Sequence, residues 1–165
     1  TSKHMIYYYF GSKEGLFRAT LEHAYNRFRT AEEAIDYEQM PAVEALAAFV
    51  GQSFDSHFNS PEFVRIIMGE NINNGEHMAE VEGLDRRRGV LVSMARIIER
   101  GVASGDFRGG IDILQLHLTI SSMCFYYVSN RHTFGHIFQA DLTSPEQAEK
   151  RRAEVIDSVL RICRA

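Results

Sequence analysis

Apolar residues recur at three- and four-residue steps along nearly the whole chain, the spacing of one buried helix face. Leu16, Ala19, Ala24 and Phe28 mark such a face in a helix expected over 13–37. Leu46, Phe49, Val50, Phe54 and Phe58 mark a second over 41–58, and a third is expected over 61–73. Leu91, Met94, Ala95, Ile98 and Val102 lie on one face of 77–104. A strongly apolar segment is expected to be helical over 112–129, and Ala148, Arg152, Val155, Ile156, Val159, Leu160 and Ile162 form the stripe of a last helix over 145–163. The punctuation agrees. Pro41, Pro61 and Pro145 stand where helices start, as suits a residue with no N–H to lose in a first turn. Ser60, Asp112 and Ser144 are natural N-caps, with Gln147 at capping-box spacing from Ser144. Gly105 is placed to end its helix, and Gly101 is a soft spot within it. With a short helix over 2–8, the reading is all-α, with about seven helices.

Charge changes the picture. The net charge of −4 over 165 residues hides a polarity. Residues 1–30 hold five basic and two acidic side chains, whereas residues 31–85 hold twelve acidic ones and a single base, Arg65. A basic end on an acidic body can meet a polyanion with that end alone, or simply be a solvated face. Cys124 and Cys163 sit far apart in apolar runs and read as buried, reduced thiols, which points to the cytoplasm. No apolar run reaches the roughly 18 residues that span a bilayer. Thr1 in place of an initiator methionine leads us to expect residues upstream.

The informative motif is the opening stretch, Thr1-Ser-Lys-His-Met-Ile-Tyr-Tyr-Tyr-Phe-Gly-Ser-Lys-Glu-Gly-Leu-Phe17. A short helix with polar residues early and aromatic ones late gives way to a glycine turn and a helix opened by Ser12. Polar tips on such a helix could read base edges in a major groove, with phosphate contacts beside them. The stretch resembles the end of the DNA-binding domain of the TetR family: the recognition helix, the Tyr-Tyr-x-Phe-Gly-Ser-Lys-Glu-x-Leu-Phe turn and the start of the linking helix. Later segments are similar to one branch of that family: Glu70-Asn-Ile, Glu99-Arg-Gly-Val-Ala-Ser-Gly-Asp-Phe107 and Tyr127-Val-Ser-Asn-Arg-His-Thr-Phe134.

The resemblance implies residues 1–29 as the remnant of a helix-turn-helix head and 30–165 as a helical ligand-binding and dimerisation domain. It implies Ser2, Lys3, His4, Tyr7, Tyr9 and Lys13 at the DNA, with Ile6, Phe10 and in part Tyr8 assigned to packing. The family's first two helices are not in this sequence, so operator DNA is an expected partner only together with them. The second expected partner is a mostly apolar small-molecule effector, held by Phe54, Phe58, Ile67, Met68, Asn71, Met94, Ile98, His117 and Ser121. Ser122 is a further polar candidate. The Phe, Met and Ile residues have a plain alternative as core, His117 as a hydrogen-bonded core histidine, and Asn71 as a cap. The third is a second copy of the chain, met through Met123, Tyr126, Tyr127, Phe134, Phe138, Val155, Val159 and Ile162.

The function expected is a ligand-responsive transcriptional regulator, a repressor released from its operator by a small molecule. The alternative is a helical partner-binding module that does not touch DNA. Catalysis is not expected, because no phosphate loop and no Ser/His/Asp or metal-ligand spacing occurs. His132 and His136 stand four apart, but Gly135 lies between them and no third ligand accompanies them, so no metal or cofactor is expected.

Overall fold

The computed structural model describes residues 3–81 and 84–165; for Lys3, Arg29 and residues 31–33 and 84–88 only the backbone is described. Seven α-helices are described: α1 (Lys3–Phe10), α2 (Lys13–Glu33), α3 (Ala42–Phe58), α4 (Pro61–Ile72), α5 (Leu84–Ser104), α6 (Ile113–Phe138) and α7 (Pro145–Cys163). Short 3-10 turns, Tyr37–Gln39 and Met78–Glu80, lead into α3 and precede α5. Apart from one bridge between Phe107 and Arg164, no β-structure occurs among the described residues.

Several helix ends match the expected chemistry. Ser12, Asp112 and Ser144 accept hydrogen bonds from the backbone N–H of Gly15, Gln115 and Gln147, three residues on. Gly105 closes α5 at φ +82°. Ser60 precedes Pro61 but makes no side-chain cap.

Other ends differ from expectation. The long helix stops at Glu33, four residues early, and the chain turns through Tyr37–Gln39. Arg100 of α5 fixes that turn by donating to the carbonyls of Tyr37 and Glu38 at 2.7 and 2.6 Å. The helix expected from residue 77 begins at Leu84. Helix α6 runs nine residues past Ser129. The polar pair Ser129 and Asn130 does not end it, because both side chains donate back to the Tyr126 carbonyl. The turn comes at Gln139, which is left-handed at φ 53°, with Ala140 donating to Gly135 at 3.0 Å. Gly101 is no soft spot. A Cβ there would collide with the ring of Phe107, which lies buried across it.

Helix α3 is the centre, packed by α2, α4, α5, α6 and α7. The main core joins Leu46, Phe49, Val50 and Phe54 of α3 to Met94, Ile97 and Ile98 of α5, Leu116, Ile120 and Cys124 of α6, and Val155, Val159 and Cys163 of α7. Gly51 leaves space for Arg152, which crosses α3 to reach both oxygens of Asp55 at 3.0 and 3.1 Å. That explains an arginine in an otherwise apolar stripe. A smaller cluster, built on Phe63, Val64 and Val128, lies beside the main core with Tyr25, Phe28, Ile67 and Phe125 packed on it. Both thiols are free and buried, and desolvation pushes Cys124 up to about 11.

Candidate functional site

A chamber of about 310 Å³ opens where the smaller cluster meets α3. Five helices supply its wall: Tyr25 and Phe28 from α2, Ser53 and His57 from α3, Phe63 and Ile67 from α4, Val90 from α5, and His117, Ser121 and Phe125 from α6. Its volume is at the small end of ligand sites, and an apolar wall with a few polar groups is their usual make-up. The rings are ordered against one another. Phe28 and Phe63 stack at 4.6 Å and 26°, and Tyr25 meets Phe63 edge-on at 5.3 Å. His57 sits edge-on to Phe28 at 4.7 Å and to Phe125 at 6.1 Å. A cleft of about 340 Å³ shares Phe28 and Phe63 with the chamber and is lined among others by His23, Arg27, Asp55 and Glu62.

The two imidazoles give the chamber its chemistry. Burial holds both His57 and His117 below the usual histidine range, which favours the neutral form of each ring. His57 Nδ1 lies 2.7 Å from the Ser53 carbonyl oxygen, one turn back on α3. His117 Nδ1 is buried with no hydrogen-bond partner among the described residues. Buried polar atoms are nearly always paired, so an orphan at a cavity wall points to a group that the cavity can receive.

The chamber is tied to the first helices. Phe28 and Tyr25 lie on α2, whose N-terminus carries α1 across the Gly11 turn at φ +72°. A Cβ on Gly15 would collide with the Phe10 carbonyl, so the motif's second glycine is required for the close approach of α1 to α2. From Ile67 in the chamber wall, Glu70 lies one turn further along α4 and is only 2% exposed. Its carboxylate accepts the backbone N–H of His77 at 2.8 Å and faces His77 Nδ1 at 2.9 Å. The His77 ring in turn meets Phe17 of α2 edge-on at 5.1 Å. Next to it, Arg18 of α2 pairs with Glu80. A packed path of about two turns thus joins the chamber to the start of α2.

Comparison with known proteins now adds to the geometry. Residues 42–159 match the model of a tetracyclin repressor-like C-terminal domain. The chain is 39% identical over 158 residues to the HTH-type transcriptional repressor NicS of Pseudomonas putida, an alignment covering 95% of this chain and 74% of that protein. The chain belongs to the TetR family of transcriptional regulators. The fold agrees. A tetR-family regulatory protein of Rhodococcus RHA1 superimposes with a TM-score of 0.75 at 23% identity, over 100% of this chain and 82% of that one. A TetR transcriptional regulator of Streptomyces coelicolor does so with a TM-score of 0.56 at 15% identity, over 99% and 81%. No helix among the described residues is long and apolar enough to cross a membrane.

The residues expected to face DNA fall on α1 and the start of α2. His4, Tyr7, Tyr9 and Lys13 are exposed there, while Ser2 and the side chain of Lys3 lie outside the described residues. Tyr8 and Phe10, expected in packing, are 78% and 41% exposed, with α2 the main support of α1 among the described elements. Of the nine expected pocket residues, the chamber brings together Ile67, His117 and Ser121. The others lie outside its lining. Phe54, Met94 and Ile98 are buried in the main core, where α3 and α5 close over them. Phe58 stacks on Phe54 under the Arg131 guanidinium. Met68 is 38% exposed beside Val128 and His132 of α6, and exposed Asn71 donates to the Ile67 carbonyl at 2.8 Å. Ser122 is exposed and donates to the Thr119 carbonyl.

The expected dimer surface divides likewise. Val155 and Val159 are 1% and 0% exposed against α3 within one chain, so neither can meet a partner. Tyr126 and Phe138 are 53% and 65% exposed, Ile162 is 39% exposed, and Phe134 is half-buried between the two rings. Met123 and Tyr127 back onto the core, Tyr127 donating to the Leu142 carbonyl at 2.8 Å. Sequence reasoning missed Tyr25, Phe28, Ser53, His57, Phe63, Val90 and Phe125 as chamber residues. The available signal was polar Ser53 and His57 recurring at four-residue spacing on the apolar face of α3.

Proposed function

We propose that this protein is a repressor that leaves its operator when a small, mostly apolar molecule with one or two polar groups fills the chamber between α2, α3, α4, α5 and α6. The observation that carries the reading is that Tyr25 and Phe28 of the chamber wall lie on α2, the helix that also holds α1. A guest between α2 and α4 moves Phe28 and Ile67 apart. The Glu70–His77–Phe17 contacts then pass the shift of α4 to the start of α2. The repressive sense of the switch rests on the 39% identity to a named repressor. The role is that of a cytoplasmic regulator, with no catalytic step.

His4, Tyr7, Tyr9 and Lys13, with Ser2 and Lys3, form the DNA contacts in this reading. Two copies pair through the exposed faces of α6 and α7, with Tyr126, Phe134, Phe138 and Ile162 as apolar anchors. Two heads must then lie about one helical turn apart, roughly 34–36 Å, so a tilt of α2 spoils the match to DNA.

The test uses the full-length protein with its first two head helices and begins by selecting bound fragments from genomic DNA and screening metabolites for thermal stabilisation, since a ligand at about 100 times its Kd adds about 2.7 kcal/mol. A stabilising ligand is expected to release the DNA, and an Ile67→Trp chamber block is expected to abolish that release. DNA retained at saturating ligand, or release that survives the block, overturns the chamber reading. A Tyr126→Glu variant that stays dimeric by light scattering overturns the pairing.

A further inference from the structure

His57 is held in one tautomer. Its Nδ1 stands 2.7 Å from the Ser53 carbonyl oxygen. A carbonyl oxygen carries no proton, so the hydrogen of that bond belongs to Nδ1. The ring is 6% exposed and enclosed by the edges and faces of Phe28, Phe63 and Phe125. A second proton there would create a buried charge among aromatic rings, with no carboxylate bonded or ion-paired to the ring among the described residues. The distal nitrogen, Nε2, therefore presents a lone pair. It points away from the α3 backbone, since Nδ1 faces that backbone, and His57 lines the chamber. Among the described residues no hydrogen bond is made to Nε2, and none joins it to His117.

We infer that the chamber selects its ligand as a hydrogen-bond donor: a planar aromatic or heteroaromatic molecule whose hydroxyl or ring N–H meets the Nε2 lone pair of His57. This rests on the chamber being the effector site. The stacked Phe28–Phe63 pair and the edge of Phe125 supply flat apolar walls for the ring. Ser121, on the same face of α6 as His117 and Phe125, leaves room for a second polar substituent. A group offering only acceptors, such as an ether or a carboxylate, sets lone pair against lone pair and gains nothing at His57.

The experiment combines nitrogen NMR of the 165-residue chain, labelled with 15N-histidine, and calorimetric titration with 2-naphthol, 2-methoxynaphthalene and 2-naphthoate. His57 is expected in the Nδ1–H form in the free protein, with its Nε2 resonance moving when 2-naphthol is added. 2-Naphthol is expected to bind about tenfold more tightly than the methyl ether, as one hydrogen bond to a buried acceptor implies. His57→Phe is expected to erase that difference while the methyl ether still binds. An Nε2–H tautomer overturns the inference without any variant. So does equal or tighter binding of the ether or the naphthoate, or no binding by any of the three. Those results leave the chamber reading standing, because that reading falls only if the Ile67→Trp block leaves DNA release intact.

Discussion

The two ends of α3 solve different problems with the same backbone. Its first turns bury Ala42, Ala45, Leu46, Phe49 and Val50 against α5 and α7, with no polar side chain among them. Its last turns bury Ser53, Ser56 and His57 beside Phe54, next to open space. The dry end is close-packed and gains from every methylene. The wet end forgoes packing around the chamber and sets polar atoms beside open space. Close apolar packing and buried polar groups are thus divided along one helix of 17 residues.

The widest separation of the two ends comes from truncating the dry one. Leu46→Ala is expected to cost about 2–5 kcal/mol in urea denaturation, while 2-naphthol affinity of the folded protein stays unchanged. A loss under about 1 kcal/mol would mean that the dry end is not the seat of stability. His77→Ala, which strips a partner from the buried Glu70 carboxylate, is expected to cost about 1.5–3 kcal/mol and to weaken ligand-driven DNA release. Release at full strength would separate the Glu70 contacts from the switch.

At the wet end, His57→Phe is expected to change stability by less than about 1.5 kcal/mol, as a near-isosteric swap, yet to remove discrimination between chamber ligands. Its pH signature has a definite sign. Well above 6.5 the His57 ring is neutral folded and unfolded. As pH falls below that value the unfolded chain takes up a proton that burial denies the folded ring, so stability declines. His117 acts in the same direction. The slope cannot exceed about 1.4 kcal/mol per pH unit for each proton, and His57→Phe is expected to flatten it in denaturation curves from pH 8 to 5. A steeper variant would reverse the assignment. The smallest effect lies outside both ends: Ser12→Ala is expected to cost about 1 kcal/mol, seen as faster amide exchange at Gly15 and no change in the chamber.

Much of this fold could be read in advance where short-range chemistry decides it. The caps at Asp112 and Ser144, the proline starts and the left-handed Gly105 depend on neighbours within a turn, and they fell where the residues placed them. The family could be read because the Tyr7–Phe17 stretch sets an aromatic run, the Gly11 turn and the Ser12 cap in a fixed order along consecutive residues. The chamber was less legible. Helical periodicity says that Phe54, Met94 and Ile98 face inward, but not whether packed neighbours or a void await them. That depends on how α2 and α4 lean against α3, which no spacing along the chain encodes. The end of α6 was missed because Ser129 and Asn130 look like breakers in sequence, while their bonds to Tyr126 let the helix continue.

The shielding of Cys124 and Cys163 has a practical corollary. Only thiolates attack maleimides, and Cys124, held protonated up to about pH 11 within the core, stays inert at neutral pH. A reporter group attached through a cysteine substituted at Tyr9, which is 70% exposed, would therefore carry the sole reactive sulfur in the folded chain. Paired probes at that position would turn the travel of α1 into a distance read directly in solution.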